Sequence, residues 1–376
     1  MKRKILIDAI GIDRVGGGRT AICTLLEHIL RLDQETSFTV LVSGREQSWD
    51  KYSNVHQRVI SGRRFAVRAY LQCVLPTWTH REGIALVHFA KNLGVFGLSC
   101  PYVVTVHDLT TLLLYDQHTL LDVAYWKWVE ALTVRKAARV VAVSHDTARD
   151  IERFYRISQR KVEVIHWAPH ARFRPVRDSC QLEALRRRYR LPTQYVLFVG
   201  ILAKKKNVPT LLSSMAKLYS RMPNAPDLVV VGRQYPQSED TVSTALVHQL
   251  GLDGHVHFLG SVPDEDLPGL FTASAFYVLP SLHEGFGIPC LEAMACGVPV
   301  IVTRAGALPE IVGDAAWILD DPMDAVGLST AMECVLRDGT LRQEMVRRGF
   351  ERAAAFSWEK SARKMLEVYQ AVLEGR

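Results

Sequence analysis

Two glutamates flank a glycine-rich loop within residues 280–300, in the C-terminal half of the chain. Glu284 and Glu292 are separated by seven residues, and apolar stretches typical of buried strands lie on both sides of the segment. The Gly-Phe-Gly of residues 285–287 lets the backbone turn tightly. Pro289 suits the start of a helix, because its nitrogen has no hydrogen to donate. The pattern predicts a strand, a loop with free N–H groups and the positively polarised N-terminus of a helix, which together suit a phosphate.

The two carboxylates point to a different ligand from the phosphate beside them. Glu292 lies about one turn into the predicted helix and Glu284 lies on the loop before it, so both can border one cleft at the carboxyl ends of the strands. A carboxylate in that place is suited to accept hydrogen bonds from sugar hydroxyls. Taken singly, each glutamate is equally compatible with a surface loop or a helix cap.

Two other predicted strands end in polar residues. An apolar strand over residues 103–106 delivers His107 and Asp108 to its carboxyl end, although a lone histidine is more often structural. The strand over residues 195–200 is followed by three adjacent lysines at 204–206. Such a run is usually a solvated turn, but at a strand end it favours charge-assisted contacts to a diphosphate.

A glycine-rich segment at residues 16–21 follows the first predicted strand and fits a weak dinucleotide fingerprint. NAD is disfavoured, because the second strand is not followed by an acidic residue that could hold the ribose. Arg45 at that place could instead serve the additional phosphate of NADP. An NADP-linked oxidoreductase that modifies sugars is therefore one alternative.

Length and composition indicate a folded protein of two domains. The chain has 376 residues, of which 48% are hydrophobic and 23% charged. No apolar run reaches the roughly 18–20 residues that span a bilayer, and seven scattered cysteines without metal spacing favour a reducing cytosol. The net charge of +7 attracts phosphates, anionic lipid headgroups or nucleic acid without distinguishing among them.

Strands and helices alternate along the chain, which predicts an α/β protein with parallel sheets. A polar, basic stretch over residues 172–194 separates two such series. We predict a first domain at residues 1–175, a second domain at 190–355, and a last segment at 356–376 with helical spacing.

The two-glutamate segment resembles the signature of retaining glycosyltransferases of the GT-B fold, specifically glycosyltransferase family 4. Members of that family typically carry Glu-Gly-Phe-Gly, seven residues between the glutamates, and Glu-Ala-Met-Ala-Cys-Gly, as this chain does at residues 284–297. The Thr-Val-His-Asp at residues 105–108 and the Lys-Lys-Asn at residues 205–207 also fit the family. The resemblance covers nearly the whole chain. It implies two Rossmann-like domains that face a central cleft, the last helix crossing back to the first domain.

The resemblance also implies roles for individual residues. His107 and Glu284 would contact the donor sugar, Lys205 and Lys206 the diphosphate, and Glu292 the ribose. His107, Glu284 and Lys206 form the predicted catalytic set. The other predicted donor-binding positions are Gly17, Gly18, Val262, Gly285, Phe286, Gly287, Ile288 and Leu291.

Some positions differ from the family pattern or allow another interpretation. Ile201 stands where many relatives carry an arginine, so the lysines after it would have to serve the phosphates. Asp264 and Asp266 mimic the metal motif of other nucleotide-sugar transferases, but we predict that they cap a helix. No bound metal and no cofactor are expected.

The resemblance, in particular to the bacterial mannosyltransferases of the family, implies a retaining hexosyltransferase of bacterial surface glycan synthesis. The favoured donor is a GDP-linked hexose such as mannose, with UDP-glucose as the main competitor. The acceptor is a saccharide or a polyprenyl-diphosphate-linked saccharide, and nucleic acid is not expected as a partner. A noncatalytic protein that binds nucleotide sugars is the second alternative.

A basic and aromatic segment at residues 62–78 bears on location. It contains three arginines together with Phe65, Tyr70, Leu71 and Trp78, a composition suited to anionic headgroups. An ordinary amphipathic helix with a solvated basic edge explains the same residues. With the family context, we predict a cytoplasmic enzyme that binds peripherally to the inner face of the membrane.

Overall fold

The computed structural model describes residues 3–10, 17–114, 123–124, 126–233 and 244–375 of the chain. The chain divides into two compact units. Unit 1 comprises Met1–Trp167 and Ser357–Arg376, and unit 2 comprises Ala168–Phe356. None of the helices within the described ranges is long and apolar enough to cross a membrane.

Unit 1 is built on a seven-stranded sheet whose neighbouring strands are parallel. Its central strands are buried on both faces, which explains their nearly continuous apolar sequences. The strands are β1 (Lys4–Asp8), β2 (Ser37–Val42), β3 (Val55–Val59), β4 (Leu86–Phe89), β5 (Tyr102–Val106), β6 (Arg139–Ala142) and β7 (Val162–Val164). Their order in the sheet is β3-β2-β1-β4-β5-β6-β7.

Helices lie in most of the crossover connections between the parallel strands of unit 1, whereas β4 and β5 are joined by a loop without a helix. The α-helices are α1 (Gly17–Leu32), α2 (Arg64–Glu82), α3 (Thr110–Leu113), α4 (Ala131–Lys136) and α5 (His145–Tyr155). A π-helical turn, Trp126–Glu130, leads directly into α4, and short 3-10 helices lie at Gln47–Trp49 and Gln159–Lys161.

Unit 2 repeats this architecture with a six-stranded parallel sheet. Its strands are β8 (Tyr195–Val199), β9 (Asp227–Val231), β10 (Val256–Gly260), β11 (Phe276–Leu279), β12 (Val300–Thr303) and β13 (Ala316–Leu319), in the order β10-β9-β8-β11-β12-β13. Its α-helices are α6 (Ser179–Tyr189), α7 (Val208–Arg221), α8 (Thr244–Gln249), α9 (Leu267–Thr272), α10 (Ile288–Ala295), α11 (Leu308–Val312), α12 (Ala325–Arg337) and α13 (Gly339–Ala354). A 3-10 helix lies at Lys204–Lys206.

The last helix, α14 (Trp358–Leu373), packs against α1 in unit 1. The Tyr369 hydroxyl lies 2.6 Å from Nδ1 of His88, and Ser361 donates to the His166 carbonyl at 2.6 Å. His88 is buried on β4, where desolvation, followed by the charge of His107, lowers its pKa to about 3. A neutral, fully buried hydrogen-bonding pair therefore fastens the C-terminal helix to the sheet.

Candidate active site

The candidate site of unit 2 lies where the strand order of its sheet reverses, between β8 and β11. In open parallel sheets the loops after two such strands flank a crevice that binds ligands. The loop after β8 contains the helix Lys204–Lys206, and the loop after β11 contains Glu284 and leads into α10. The two loops are joined by a hydrogen bond of 2.7 Å from the Leu282 N–H to the Lys205 carbonyl.

Glycines allow the backbone around Glu284 to pack closely. Gly287 precedes α10 in a left-handed conformation with a φ of 88°, and a Cβ there would lie 2.4 Å from Cδ2 of Leu308. Gly306 has a φ of 58°, and a Cβ there would lie 2.4 Å from the Glu284 carbonyl oxygen. Pro289 lies in the first turn of α10. The turn and the helix start predicted from the sequence are therefore confirmed.

The carboxylate of Glu284 is buried and accepts two short hydrogen bonds. Nζ of Lys206 donates to Oε1 at 2.6 Å, and the Ser281 hydroxyl donates to the same oxygen at 2.5 Å. The Lys206 and Glu284 side chains are only 12% and 8% exposed. No hydrogen bond joins Oε2 to any residue in the described part of the chain. One carboxylate oxygen is therefore held within the protein and the other is left for a ligand.

The electrostatics keep Glu284 ionised. Burial raises its pKa, but the positive charges of Lys206 and Lys205, with the hydrogen bonds from Lys206 and Ser281, outweigh the burial. The pKa of Glu284 consequently lies below its ordinary value. At neutral pH the group is a carboxylate that can only accept hydrogen bonds.

Glu292 has the opposite electrostatics. It is 7% exposed on α10, and its carboxyl forms no hydrogen bond or ion pair with the residues that the structure describes. Burial, followed by the negative charge of Asp264, raises its pKa to about 8, although Arg172 acts in the other direction. A buried carboxyl without a protein partner suits a ligand that supplies hydrogen-bond donors.

The lysines after β8 differ in their surroundings. Nζ of Lys206 is committed to Glu284 but retains two further N–H donors, whereas Lys205 is half-buried beside it. Asn207 follows them with a φ of 54°, and its side-chain amide donates to the Pro322 carbonyl at 2.7 Å. It opens α7, as its match to the family pattern implied.

The other predicted donor-binding side chains of unit 2 are packed inside the protein. Val262, Ile288 and Leu291 are buried, and the ring of Phe286 lies edge-on to Phe356 at a centroid distance of 6.0 Å. What these residues can offer to a ligand is therefore backbone rather than side chain.

The prediction that Asp264 and Asp266 cap a helix is confirmed only for the position of Asp266, which is the N-cap residue of α9. Asp266 precedes α9, but its carboxylate makes no capping bond to the helix. It instead accepts a hydrogen bond of 2.5 Å from the Tyr189 hydroxyl and lies 3.0 Å from the Arg188 guanidinium. Asp264 lies 3.7 Å from the Arg172 guanidinium. Nearby arginine and tyrosine donors from distant parts of the sequence compete successfully with the helix N–H groups.

In unit 1, His107 follows β5 and its ring is fixed in one tautomer. Nε2 lies 2.7 Å from the Ala90 carbonyl, and since a carbonyl only accepts, Nε2 carries the hydrogen. Burial lowers the pKa of His107, so the ring is neutral and Nδ1 is an acceptor. Nδ1 is buried without a hydrogen-bond partner among the described residues, and the Trp167 ring lies 5.3 Å from the imidazole.

The glycine-rich segment is described only in part. Residues 11–16 lie outside the described residues, while α1 begins at Gly17, and Gly18 is exposed on its first turn. The Arg45 side chain, on which the NADP alternative rests, donates from Nη2 to Asp50 at 2.9 Å.

Two residues that were not predicted, Ser281 and Asn92, form hydrogen bonds to predicted site residues. Ser281 supports Glu284 from three positions earlier in the same loop, a proximity that could have suggested it. Asn92 accepts from the His107 N–H at 3.0 Å and donates to Oε1 of Glu130 at 2.7 Å. Burial raises the pKa of Glu130 to about 8, against the opposing hydrogen bond from Asn92. No sequence signal marks Asn92 or Glu130, because both contacts are long-range.

Two family models match the chain, one for each half. The model "Glycosyltransferase Family 4" matches residues 15–168, and the model "Glycosyl transferases group 1" matches residues 183–352. The chain is 29% identical over 358 residues to O-antigen chain mannosyltransferase B of Escherichia coli, covering 94% of this chain and 93% of that protein. It is 27% identical over 243 residues to the serotype-specific mannosyltransferase WbdA of Escherichia coli, covering 64% of this chain and 29% of that protein.

A solved structure shows the same fold. Anabaena Alr3699/HepE in complex with UDP-glucose matches with a TM-score of 0.81 and 18% identity, covering 98% of this chain and 99% of that one. The family resemblance expected from the sequence is confirmed. The chain belongs to glycosyltransferase family 4, has the two Rossmann-like domains of the GT-B fold, and resembles the bacterial mannosyltransferases of that family.

Proposed function

We propose that the protein is a retaining hexosyltransferase that moves mannose or a related hexose from a GDP-linked donor to a saccharide or a polyprenyl-diphosphate-linked saccharide. The observation that carries the proposal is the ionised Glu284, whose Oε1 is held by Lys206 and Ser281 while Oε2 has no partner among the described residues. A buried acceptor beside two lysines and a helix N-terminus suits a sugar linked to a diphosphate.

The chemistry follows from where charge develops during transfer. As the bond to the diphosphate breaks, negative charge grows on the phosphate oxygens and positive character grows on the sugar. Lys205, the remaining N–H donors of Lys206 and the backbone N–H groups at the start of α10 would stabilise the leaving diphosphate. Glu284 would accept from a hydroxyl of the sugar, and Glu292 from the ribose hydroxyls. We assign His107 to the transferred sugar, as the family resemblance implies.

The proposed preference for a mannose donor rests on similar proteins that are mannosyltransferases. Two proteins to which the chain is similar are mannosyltransferases, which favours a mannose-type donor, whereas Alr3699/HepE was solved with UDP-glucose. Calorimetry with GDP, UDP, GDP-mannose, UDP-glucose and NADPH separates these cases. We expect micromolar binding of GDP and GDP-mannose. Micromolar UDP binding without GDP binding would overturn the donor assignment, and NADPH binding without any nucleoside diphosphate would favour an oxidoreductase.

We also propose that unit 1 contacts an anionic membrane that holds the acceptor, although not through the whole segment first expected. Arg68 of α2 pairs with buried Asp8 at 3.0 Å, and Leu71 is 1% exposed. The Trp78 ring lies 4.4 Å below the Arg58 guanidinium. These side chains are engaged within the unit. The side chains of residues 64 and 65 lie outside the described residues.

The exposed side of the helical segment 126–136 is better suited to contact a membrane than residues 62–78. Trp128 is 72% exposed and Leu132, one turn later, is 42% exposed. Lys127, Arg135 and Lys136 are the other exposed side chains of the described part of this segment, so none of its exposed side chains is acidic. Arg135 donates from Nε to the Tyr155 carbonyl at 2.9 Å and Lys136 lies 5.9 Å from the centre of the Phe96 ring, which leaves Lys127 as the basic group of choice for a test. Aromatic, aliphatic and basic side chains together suit an anionic interface. We name this face the Trp128 surface.

Liposome flotation tests the membrane contact. Wild-type protein should float with vesicles that contain anionic lipid at low salt, and the double variant Trp128→Ala, Lys127→Glu should be released. Arg63→Glu, at an exposed position before α2, is the matched charge control and should retain most of the binding. Equal recovery of wild type and the double variant would remove the Trp128 surface from the proposal and favour a soluble acceptor.

A further inference from the structure

Ser281 connects the proposed sugar-binding carboxylate to the sheet. Its side chain is fully buried, and its hydroxyl donates to Oε1 of Glu284 at 2.5 Å. Its own carbonyl accepts a hydrogen bond of 2.6 Å from the hydroxyl of Thr303, at the end of β12. The serine is therefore tied at its backbone to one strand and at its side chain to the glutamate.

The two hydrogen bonds to Glu284 reach the same oxygen. Nζ of Lys206 and Oγ of Ser281 both donate to Oε1, at 2.6 and 2.5 Å. Two donors to one oxygen restrict rotation of the carboxylate about its terminal torsion more than a single donor does, because that torsion is otherwise broad. Oε2 keeps its lone pairs for an incoming donor group, since no described residue bonds to it.

We propose that Ser281 is a positioning residue, which fixes the rotation of the Glu284 carboxylate so that Oε2 is presented to a hydroxyl of the bound donor sugar. The proposal rests on the proposed function of this site. Lys206 supplies the neutralising charge, whereas Ser281 supplies direction, because its short side chain and anchored backbone leave it little freedom. Lysine, with a flexible four-carbon stem, is poorly suited to that second task.

Removal of the hydroxyl should affect turnover without removing the nucleotide site. In Ser281→Ala the carboxylate keeps Lys206 but loses its second donor. A hydrogen bond to a charged group contributes enough for a loss of about tenfold in kcat, while GDP affinity should change less than twofold. Ser281→Cys keeps a side chain of similar shape with a weaker donor and should fall between alanine and wild type.

A pH profile distinguishes positioning from a merely structural role. The hydrogen bond from Ser281 is one cause of the lowered pKa of Glu284. Its loss should therefore move the acidic limb of kcat to higher pH. A carbon-13 NMR titration of the Glu284 carboxyl, assigned by comparison with Glu284→Gln, should show the same upward shift without needing any turnover.

The matched control is Ser214→Ala. Ser214 is also fully buried in unit 2, and its hydroxyl donates to the Thr210 carbonyl at 2.6 Å, away from the site. It should lose similar stability but show no change in kcat, in its pH profile or in the Glu284 titration. The proposal is overturned if Ser281→Ala keeps the wild-type kcat and titration, or if it behaves like Ser214→Ala throughout. Absence of transfer by the wild type would refute the proposed function, and the titration would then decide the role of Ser281 by itself.

Discussion

Replacement of Lys206 by methionine should destabilise unit 2, and the loss should depend on pH. Lys206 and Glu284 are 12% and 8% exposed and their charged atoms lie 2.6 Å apart. Removing one partner of a buried pair leaves an uncompensated charge and typically costs about 3–5 kcal/mol. Because Ser281 still donates to the carboxylate, we expect the lower end of that range, about 3 kcal/mol at pH 8.

The pH dependence follows from the direction of the Glu284 pKa. In the wild type this pKa is lowered on folding, so Glu284 contributes stability that is present above its unfolded pKa and is lost as the pH falls through its folded pKa. In Lys206→Met the burial that raises the pKa is no longer outweighed, so the carboxyl takes up a proton at higher pH than before. The difference in unfolding free energy between wild type and variant should therefore be largest near pH 8 and much smaller near pH 5.

Urea unfolding of the full chain at both pH values, with hydrogen exchange of the β8 and β11 amides as the local report on unit 2, measures this difference. Lys217→Met is the matched control, since Lys217 is exposed on α7, and its effect should stay within about 0.5 kcal/mol. Adding Glu284→Gln to Lys206→Met should recover part of the stability at pH 8, because no buried charge then remains. A loss of equal size at pH 5 and pH 8 would refute the electrostatic reasoning.

Four further predictions concern Glu292, His107 and the independence of transfer from a metal ion. Glu292→Gln should raise the melting temperature more at pH 9 than at pH 5. The folded pKa of Glu292 is raised to about 8, so its carboxyl contributes stability that is present below its unfolded pKa and is lost as the pH rises. Equal shifts of the melting temperature at the two pH values would contradict this. The same variant should bind GDP more weakly by calorimetry if its carboxyl holds the ribose. His107→Ala should lower turnover about tenfold or more while GDP affinity changes little, since His107 is assigned to the sugar. A parallel loss of GDP affinity would contradict this assignment. Sugar transfer should persist in excess EDTA. If EDTA abolished transfer and a divalent cation restored it, a metal ion would serve part of the role assigned to the lysines.

The architecture could be predicted because it depends on local patterns. Buried parallel strands such as β8 and β11 are continuous apolar runs, and the helix start at Pro289 follows from local backbone chemistry. Two of the four edge strands, β3 and β13, were not predicted. The sequence of β3, Val-His-Gln-Arg-Val, is largely polar, and β13 has only four residues. An edge strand buries less surface, so the apolar signal on which prediction depends is weak in β3, whereas β13 (Ala-Trp-Ile-Leu) is apolar and only short.

The partners of the site residues could not be predicted from the same patterns. Motif spacing identified Glu284 and Lys206 separately, but their pairing joins positions 78 apart. The carboxylate of Asp266 bonds to Tyr189, 77 positions away, instead of capping the helix that follows it. Local sequence propensity predicts which hydrogen bonds a side chain is able to form, whereas the tertiary fold determines which distant donors lie close enough to form them.

Donor turnover measures whether unit 2 activates a nucleotide sugar through Glu284. Wild-type protein is incubated with GDP-mannose in water or with a saccharide acceptor, and phosphorus and proton NMR follow the released diphosphate and the anomeric configuration of the product. We predict release of GDP with retention of configuration, and loss of this release in Glu284→Gln while GDP still binds. Turnover that is unchanged in Glu284→Gln, or absence of turnover with both GDP-mannose and UDP-glucose, would refute this role of Glu284.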